Sequence, residues 1–444
     1  MRIIIAGAGE VGTFLAKMLA RENMEITLMD EDPSRLKDLE ANYDLLTIEG
    51  SPTSIHDLKE VKVENVDLFI AVTPQESRNM TACMIATNLG AKRTLARIDN
   101  YEYLLPKNKE FFQKLGVNEL IYPEVLAAQE IVESLKRNWL RQNLSFCNDA
   151  LILLGIKVRA NASIINHKFS SDVFEHGKFR VVAINRKNKT IIPKGNDEIL
   201  ENDIVYFITV PENLDFVREQ AGKKDFEIRN VMIMGGSKIA QKTIHNLPGN
   251  INVKVLERNK ETSYGLAEKF NRSLIINCDG RNIEILKDEG IQEMDAFVAV
   301  TGNSEANILA CLAAKRLGVK KTVAEVENID YIMLAEGLDI GTVINKKLIA
   351  ASYIYQITLD ADVLNVRSLT SADAEVVEFV AKKGSKITRS QIKDITLPDN
   401  VNIGGIVRDG AGIIVYGDTQ IIQNDHVIVF CVSSAIRKVE SFFN

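Results

Sequence analysis

The chain has 444 residues, of which 46% are hydrophobic and 26% charged, and its formal net charge is −6. A chain of this length exceeds what one hydrophobic core supports, so two to four domains are expected. The acidic balance argues against a general binder of nucleic-acid backbones, and no nucleic acid is predicted as a partner.

The first residues, MRIIIAGAGEVG, form a predicted strand that runs into three glycines. Gly7 permits a tight turn, Gly9 lets the backbone approach a pyrophosphate, and Gly12 lets the following helix pack closely on the sheet. The free N–H groups and the dipole of that helix favour phosphate. Asp30 ends the second predicted strand, about 20 residues on, as the dinucleotide-binding fingerprint requires. Because its carboxylate accepts ribose hydroxyls and repels a 2′-phosphate, NAD(H) or an unmodified adenine nucleotide is favoured over NADP.

Because the predicted strand begins with the first residues, we expect no signal peptide. No apolar run approaches the roughly 18 residues that cross a bilayer, so no membrane span is expected. The five cysteines form no CxxC pair, and the five histidines show no HExxH spacing. These spacings predict neither a disulfide framework nor a metal site.

Short apolar strands then alternate with amphipathic segments. This alternation predicts βαβ units and a parallel sheet with helices on both faces. Apolar residues at helical spacing follow at 122–142, and residues 151–222 have the pattern of strands and turns. We therefore predict a Rossmann-like domain followed by a small α+β domain. The predicted parallel strands span residues 2–6, 25–29, 45–48, 67–72 and 94–98.

The second half of the chain repeats the first. The stretch VDLFIAVTPQESRNMTAC at 66–83 aligns with MDAFVAVTGNSEANILAC at 294–311. The same offset of 228 residues relates Thr73 to Thr301. This duplication predicts two Rossmann-like α/β domains, each followed by a small α+β domain. The predicted domain boundaries are 1–142, 143–225, 226–366 and 367–444.

The second copy of the glycine turn departs from the first. A side chain at Ser237 stands where the backbone approaches phosphate. In the first copy Arg97 is placed to reach phosphate from a strand end, whereas Glu325 occupies that position in the second copy and opposes a polyphosphate. The second site is therefore expected to be weaker, altered or absent. The counterparts of Gly7, Gly9, Gly12 and Asp30 are Gly235, Ser237, Ala240 and Glu257.

A soluble NAD-dependent oxidoreductase is the alternative to a binding module. Such an enzyme needs a substrate domain that places an acid–base residue against the nicotinamide. The segment 143–225 between the two α/β copies has the pattern of a small strand-rich module, and the chain contains no nucleophile elbow, Walker A sequence or kinase motif set. A binding module is favoured, and no catalytic residue is predicted.

The motifs MRIIIAGAGEVG, ITLMDED, DLFIAVT, ESRNMTAC and LARIDN, in their doubled arrangement, resemble those of the TrkA family. Its members are the cytosolic regulatory subunits of bacterial Trk potassium uptake systems and consist of RCK domains, regulators of potassium conductance. The resemblance covers the whole chain. It implies a protein without catalysis that binds NAD(H) and ATP or ADP and gates a TrkH-type membrane potassium transporter.

The duplication gives two RCK units per chain, and a ring matched to a symmetric pore needs more than two, so a homodimer or homotetramer is predicted. Such an assembly would be cytoplasmic and peripheral, held at the inner face of the cell membrane by its transporter partner. The predicted helices near 122–142 and 346–358 would form the seam between subunits in this family. An ordinary core helix fits each of them equally well, and both interpretations stay open.

Site residues are carried over from the family residue by residue. The glycine turn would hold phosphates, Asp30 would bind ribose, and Arg97 would contact phosphate. Ser51 would lie near adenine, where relatives often have an aspartate, and Thr73 would line the cleft. The full predicted cofactor-binding set is Gly7, Ala8, Gly9, Glu10, Val11, Gly12, Asp30, Glu31, Ser51, Ala71, Val72, Thr73 and Arg97 in the first copy, and Gly235, Gly236, Ser237, Lys238, Glu257 and Thr301 in the second.

Overall fold

A computed structural model describes most of the chain as two compact units. One unit contains Met1–Leu126 together with most of helix α13 (Lys346–Thr358), and the other contains Ala127–Lys346 and the described residues that follow α13. In the described part of the chain, no helix is both long enough and apolar enough to cross a membrane. The described residues are 1–20, 24–37, 39–174, 177–187, 189–358, 363–369, 374–398, 400–432 and 435–444.

The first unit is built on a parallel sheet. Among the described residues its six strands lie in the order β3-β2-β1-β4-β5-β6. The two central strands, RIIIA and LFIA, are apolar almost throughout because helices cover both faces of the sheet. The strands are β1 (Arg2–Ala6), β2 (Glu25–Asp30), β3 (Leu46–Glu49), β4 (Leu68–Ala71), β5 (Thr94–Arg97) and β6 (Glu119–Ile121), and the helices are α1 (Glu10–Ala20), α2 (Leu39–Asn42), α3 (Ile55–Glu60), α4 (Glu76–Leu89) and α5 (Pro106–Lys114). Helix α6 (Pro123–Lys136) begins in this unit, but its residues from Ala127 onward belong to the other unit.

An antiparallel sheet follows α6. The predicted helix at 122–142 is shorter in the structure, because the chain turns after Lys136 and enters the first antiparallel strand at Gln142. Within the described residues the strands lie in the order β10-β9-β11-β8-β7. They are β7 (Gln142–Phe146), β8 (Leu151–Lys157), β9 (Phe179–Arg186), β10 (Lys189–Ile191) and β11 (Ile204–Thr209), followed by helix α7 (Leu214–Gln220).

The second parallel sheet reproduces the first. Its described strands have the order β14-β13-β12-β15-β16-β17, so each strand occupies the place of its counterpart in the first sheet. The strands are β12 (Asn230–Met234), β13 (Asn252–Glu257), β14 (Leu274–Asn277), β15 (Ala296–Ala299), β16 (Lys321–Glu325) and β17 (Thr342–Ile344), and the helices before α13 are α8 (Lys238–Asn246), α9 (Lys260–Lys269), α10 (Ile283–Asp288), α11 (Ser304–Arg316) and α12 (Asp330–Gly337).

The second antiparallel sheet completes the repeat and confirms the predicted fold class. Apolar side chains of both antiparallel sheets form one core, in which Leu153 and Tyr206 lie with Val376 and Phe430. The described strand order is β18-β19-β22-β20-β21. The strands are β18 (Val363–Ser368), β19 (Glu375–Val380), β20 (Val401–Arg408), β21 (Ala411–Ile414) and β22 (His426–Cys431), and the last helix is α14 (Ile436–Glu440).

Each antiparallel sheet contains a buried aspartate that is paired with an arginine. Asp203 and Asp425 are 2% and 1% exposed. Arg186 donates to Asp203 at 2.8 Å, and Arg408 donates to Asp425 at 2.7 Å. Each carboxylate also accepts the backbone N–H three residues earlier, at 2.8 and 2.9 Å. The repeated stretches ILENDIVYF and IIQNDHVIVF therefore each supply the buried aspartate of a structural ion pair that holds a turn.

We expect Gly12→Ala to destabilise the full chain, because a Cβ there would lie 1.8 Å from the carbonyl oxygen of Gly7. Relief of this clash must shift α1, at a cost of roughly 1–3 kcal/mol. The matched control is Gly265→Ala in α9, where a Cβ meets nothing within 4 Å. This control should stabilise by roughly 0.5–1 kcal/mol, since glycine is unfavourable inside a helix. Thermal unfolding midpoints that fall for Gly12→Ala and rise for Gly265→Ala are expected, and equal midpoints would contradict the clash.

Candidate functional site

The first glycine turn lies at the point where the strand order reverses, between β1 and β4. Gly7 has φ +110°, and a Cβ on it would lie 3.0 Å from the backbone nitrogen of Thr73. Space above Gly9 is open, with nothing within 4 Å of the position of a Cβ. Helix α1 begins at Glu10 and points its N-terminus at this space. Open doubly wound sheets bind their ligands in such a crevice, with phosphate at the helix N-terminus.

Asp30 fastens this turn to the end of β2. Its Oδ2 atom accepts the backbone N–H of Ala8 at 2.7 Å, and its Oδ1 atom accepts the N–H of Asp32 at 2.9 Å. The residue is 9% exposed. Each carboxylate oxygen has a further lone pair, so a hydroxyl group can still donate to it. Asp30 therefore shapes the turn and keeps the capacity to accept from a ribose.

Thr73 and Asn79 brace the neighbouring strand ends. The Oδ1 atom of Asn79 accepts the Thr73 hydroxyl at 2.6 Å and the Thr73 N–H at 2.9 Å, while its amide donates to the carbonyl of Arg97 at 2.8 Å. Asn79 is 1% exposed. This clamp fixes the ends of β4 and β5 beside the glycine turn.

Glu31, Ser51 and Arg78 form a polar cluster at the ends of β2 and β3. The Arg78 guanidinium donates to Glu31 and, at 3.1 Å, to the Ser51 hydroxyl. The hydrogen bond from Arg78, followed by that from Ser51, holds the pKa of Glu31 below its ordinary value. Arg78 comes from α4, so this cluster joins the ends of two neighbouring strands to a helix.

Arg97 is paired with a carboxylate in the structure. Its guanidinium donates to Oε1 of Glu124 at 2.8 Å, and Glu124 is 7% exposed. The Oε2 atom of Glu124 is buried and has no hydrogen-bond partner among the described residues. Arg97 thus stands at the strand end where it was predicted and neutralises a buried acid there.

Lys347 from the second half of the sequence lies in the first compact unit. Its ammonium group is 3.1 Å from the carboxylate of Glu10, the first residue of α1. The Lys347 side chain is 12% exposed, whereas that of Glu10 is 67% exposed. A cation therefore stands at the helix N-terminus of the first glycine turn.

The second copy keeps an open cleft at the corresponding place. A cleft of ≈ 530 Å³ is lined by Gly235, Ser237, Glu257 and Thr301 among other residues. Glu257 accepts the N–H of Gly236 at 2.6 Å and the N–H of Asn259 at 2.6 Å, as Asp30 does in the first copy.

Ser237 takes the place of Gly9 and caps the helix that follows it. Its hydroxyl accepts the N–H of Ala240 at 3.3 Å. Its side chain therefore occupies the position where the first copy has open space, and it satisfies one of the free N–H groups at the start of α8.

The structure places every predicted site residue at the carboxyl edge of one of the two parallel sheets. The first set comprises the turn Gly7–Gly9, the start of α1 at Glu10, Val11 and Gly12, the β2 end at Asp30 and Glu31, Ser51 after β3, the β4 end at Ala71, Val72 and Thr73, and Arg97 ending β5. The second set comprises the turn at Gly235, Gly236 and Ser237, Lys238 beginning α8, Glu257 ending β13, and Thr301 after β15.

Comparison with known proteins identifies the family. Residues 3–123 and 231–346 match the TrkA-N domain, and residues 153–222 and 376–444 match the TrkA-C domain. The chain belongs to the TrkA family. Similar relatives are the Trk system potassium uptake proteins TrkA of Vibrio alginolyticus, 32% identical over 100% of this chain and 98% of that protein, and of Halomonas elongata, 31% identical over the same shares.

Solved structures show the same fold as this TrkA-family chain. The crystal structure of the GsuK RCK domain is 14% identical, with a TM-score of 0.60 over 100% of this chain and 94% of that chain. The GsuK channel bound to NAD is also 14% identical, with a TM-score of 0.60 over 100% of this chain and 78% of that chain.

The two copies of the TrkA-family repeat carry opposite charges at four matched positions of their sites. Glu325, 3% exposed, ends β16 as Arg97 ends β5, and its carboxylate is 3.6 Å from the ammonium of Lys346. Burial raises the pKa of Glu325 to about 7, against the opposing effect of Lys346. The matched pairs are Glu10 and Lys238, Glu31 and Arg258, Arg97 and Glu325, and Glu124 and Lys347. Glu124 and Lys347 each lie three residues after the end of the sixth strand of their own parallel sheet.

Sequence reasoning missed several residues of the two sites. Glu124 and Lys347 lie far in sequence from the turns, and no motif marked them. Arg78 lies inside the quoted ESRNMTAC motif, and that motif was the signal that could have indicated it. In the second copy Asp279 occupies the position of Ser51, and pairing with Arg281 lowers its pKa to about 2.

We expect Arg97→Ala to destabilise the chain by roughly 1–3 kcal/mol, because it leaves the buried carboxylate of Glu124 without a partner. Addition of Glu124→Gln to the Arg97→Ala variant removes the negative charge that has lost its partner. The double variant should therefore lose less stability than the sum of the single variants, with a coupling of about 0.5–3 kcal/mol. Thermal unfolding of the four proteins measures it, and strictly additive losses would show that the pair does not contribute.

Proposed function

We propose that this chain is the nucleotide-sensing regulatory subunit of a membrane potassium transporter. The observation that carries the proposal is the repeated glycine turn, which lies at the reversal point of both parallel sheets in one chain. The relatives that match over the full chain are named Trk system potassium uptake proteins. We also propose that the chain divides into four domains with the boundaries 1–142, 143–225, 226–366 and 367–444.

The first site is proposed to bind NAD(H) or an adenine nucleotide. Gly9 leaves room for a pyrophosphate at the N-terminus of α1. Asp30 keeps lone pairs for ribose hydroxyls, and its negative charge disfavours a 2′-phosphate. The solved GsuK channel with the same fold is described as bound to NAD, which supports this choice of ligand.

Lys347 and Glu10 are proposed to distinguish ATP from ADP. Glu10 is mostly exposed and its partner Lys347 is mostly buried, so an incoming phosphate can take the place of the carboxylate beside the ammonium. A γ-phosphate adds negative charge that competes more strongly with Glu10 for this cation. ATP and ADP would then leave α13 with different contacts.

The second site is proposed to bind a different ligand or the same ligand more weakly. Ser237 narrows the approach of the backbone, and Glu325 replaces the arginine at the end of the fifth strand. Arg258 and Arg281 also line the cleft of ≈ 530 Å³. The positive charge of the second site therefore lies on the side of Glu257, the counterpart of Asp30, where the ribose is proposed to bind. The presence of the cleft supports ligand binding at the second site, and its charges support a ligand preference different from that of the first site.

A regulatory role fits the polar groups of the first site better than catalysis does. Asp30 holds Ala8, Asn79 holds Thr73, and Arg97 holds Glu124, so these groups are engaged in shaping the cleft. A ligand changes the shape of such a protein only through its different affinities for two shapes. We propose that nucleotide identity is passed in this way to a TrkH-type transporter, by a homodimer or homotetramer peripheral to the cytoplasmic face of the membrane.

Asp30→Asn in the full chain should weaken NADH binding by roughly 1–3 kcal/mol, the value of a hydrogen bond to a charged group. It should also reduce the preference over NADPH, since the repelling charge is removed. The matched control is Glu257→Gln, which makes the same change in the second copy. Calorimetric titration should show that the affinity of the tighter class of sites falls in the first variant and is unchanged in the second. Unchanged NADH affinity of Asp30→Asn would exclude Asp30 as the ribose ligand.

Potassium flux into vesicles that contain the partner transporter tests the function itself. Flux should depend on the added chain and differ between ATP and ADP. Lys347→Ala should abolish that difference, while the control Lys107→Ala, at an exposed position of α5, should keep it. Flux that ignores the chain and both nucleotides would overturn the proposal. Consumption of NADH with small-molecule substrates would instead support the alternative, an oxidoreductase.

A further inference from the structure

Three side chains of metal-binding type meet outside the nucleotide sites. Cys147, Glu378 and His426 each offer one ligand atom, and these atoms lie within 4.8 Å of one another. The Cys147 sulfur is 3.0 Å from Glu378 Oε1 and 3.3 Å from His426 Nδ1, and the latter two atoms are 2.9 Å apart. All three residues belong to the second compact unit.

The fold explains why these three residues meet. Cys147 follows β7 directly and has φ 49°, in the left-handed region, which turns the chain toward β8. Glu378 pairs with Ile428 and His426 with Val380 in the antiparallel register of β19 and β22. Glu378 and His426 are therefore diagonal neighbours on one sheet face, and Ile428 on that face belongs to the core shared with the first antiparallel sheet.

We propose that Cys147, Glu378 and His426 bind a divalent transition-metal ion of the zinc type, which joins the two antiparallel sheets. Thiolate, imidazole and carboxylate are the three ligand types of protein zinc sites. Calcium and magnesium prefer oxygen ligands throughout and do not suit this set. One divalent ion balances the two negative charges of the thiolate and the carboxylate. The thiol proton leaves to solvent when the metal–sulfur bond forms.

The distances fit such an ion after a small movement. Ligand bonds of about 2.0–2.3 Å in a tetrahedral arrangement place adjacent ligand atoms roughly 3.3–3.7 Å apart. The three separations of 3.0, 3.3 and 2.9 Å are a few tenths of an ångström shorter. Glu378 is held in the core with its side chain 2% exposed, while that of His426 is 34% exposed and can rotate to open the triangle. Three protein ligands leave a fourth position for water.

Zinc binding to the full chain, purified without a histidine tag and stripped with a chelator, tests the proposal. Titration with Zn²⁺ against a coloured competing chelator should give one ion per chain. Cys147→Ser and His426→Ala should each weaken zinc binding on the order of 100-fold or more. A smaller loss is expected for a residue that only hydrogen-bonds to a metal ligand, since such residues contribute about 10- to 100-fold. The matched control His245→Ala, at an exposed position of α8, should bind zinc as the unaltered chain does.

Cobalt provides a second measurement that does not depend on variants folding. Co²⁺ added to the unaltered stripped chain should produce a thiolate-to-cobalt charge-transfer band, which Zn²⁺ then removes. Zinc should also raise the thermal unfolding midpoint, since it binds the folded chain. A stripped chain that takes up no Zn²⁺ and gives no cobalt band would overturn the proposal. Zinc affinity unchanged in both Cys147→Ser and His426→Ala would overturn it too, and would leave the three groups as a hydrogen-bonded cluster.

Discussion

The close approach of helix α1 to the end of β1 is the constraint on which the first site depends. A Cβ on Gly12 would come within 1.8 Å of the Gly7 carbonyl, so only glycine lets the helix begin where it does. That position points the free N–H groups of α1 at the open space above Gly9. The carboxylate of Asp30 and the clamp of Asn79 on Thr73 then fix the surrounding strand ends. The rest of the first site is arranged around the start of α1, whose position requires a glycine at residue 12.

The second copy lacks the glycine that this close approach requires in the first copy. Ala240 occupies the position of Gly12, and Ser237 uses its hydroxyl to cap the helix. Strand order and the Asn–Thr clamp are nevertheless preserved, since Asn307 accepts from the Thr301 hydroxyl at 2.6 Å. Duplication has thus kept the scaffold and changed the charges around the cleft. The two copies therefore share strand order and the Asn–Thr clamp but carry opposite charges at matched positions, which is the basis of the different ligand preference proposed for the second site.

Much of the fold followed from local patterns. Predicted strands at 2–6 and 94–98 correspond to β1 (Arg2–Ala6) and β5 (Thr94–Arg97), because apolar runs of strand length between turns have few other solutions. The sixth strand, β6 (Glu119–Ile121), was not predicted, since three residues carry too little periodicity. The helix predicted at 122–142 was too long, because helical spacing does not show where tertiary packing draws the chain into a new strand.

The sequence by itself determined the duplication, the two glycine turns and the acidic residue that ends each second strand, because these depend on spacings within a few tens of residues. Only the tertiary structure decided which distant side chains meet them. Arg97 with Glu124, and Glu10 with Lys347, are pairs that no local spacing encodes. The same holds for Cys147, Glu378 and His426, which chain topology and strand register bring to one point. Contacts of this kind depend on the path of the whole chain, and a pattern read along the sequence cannot contain them.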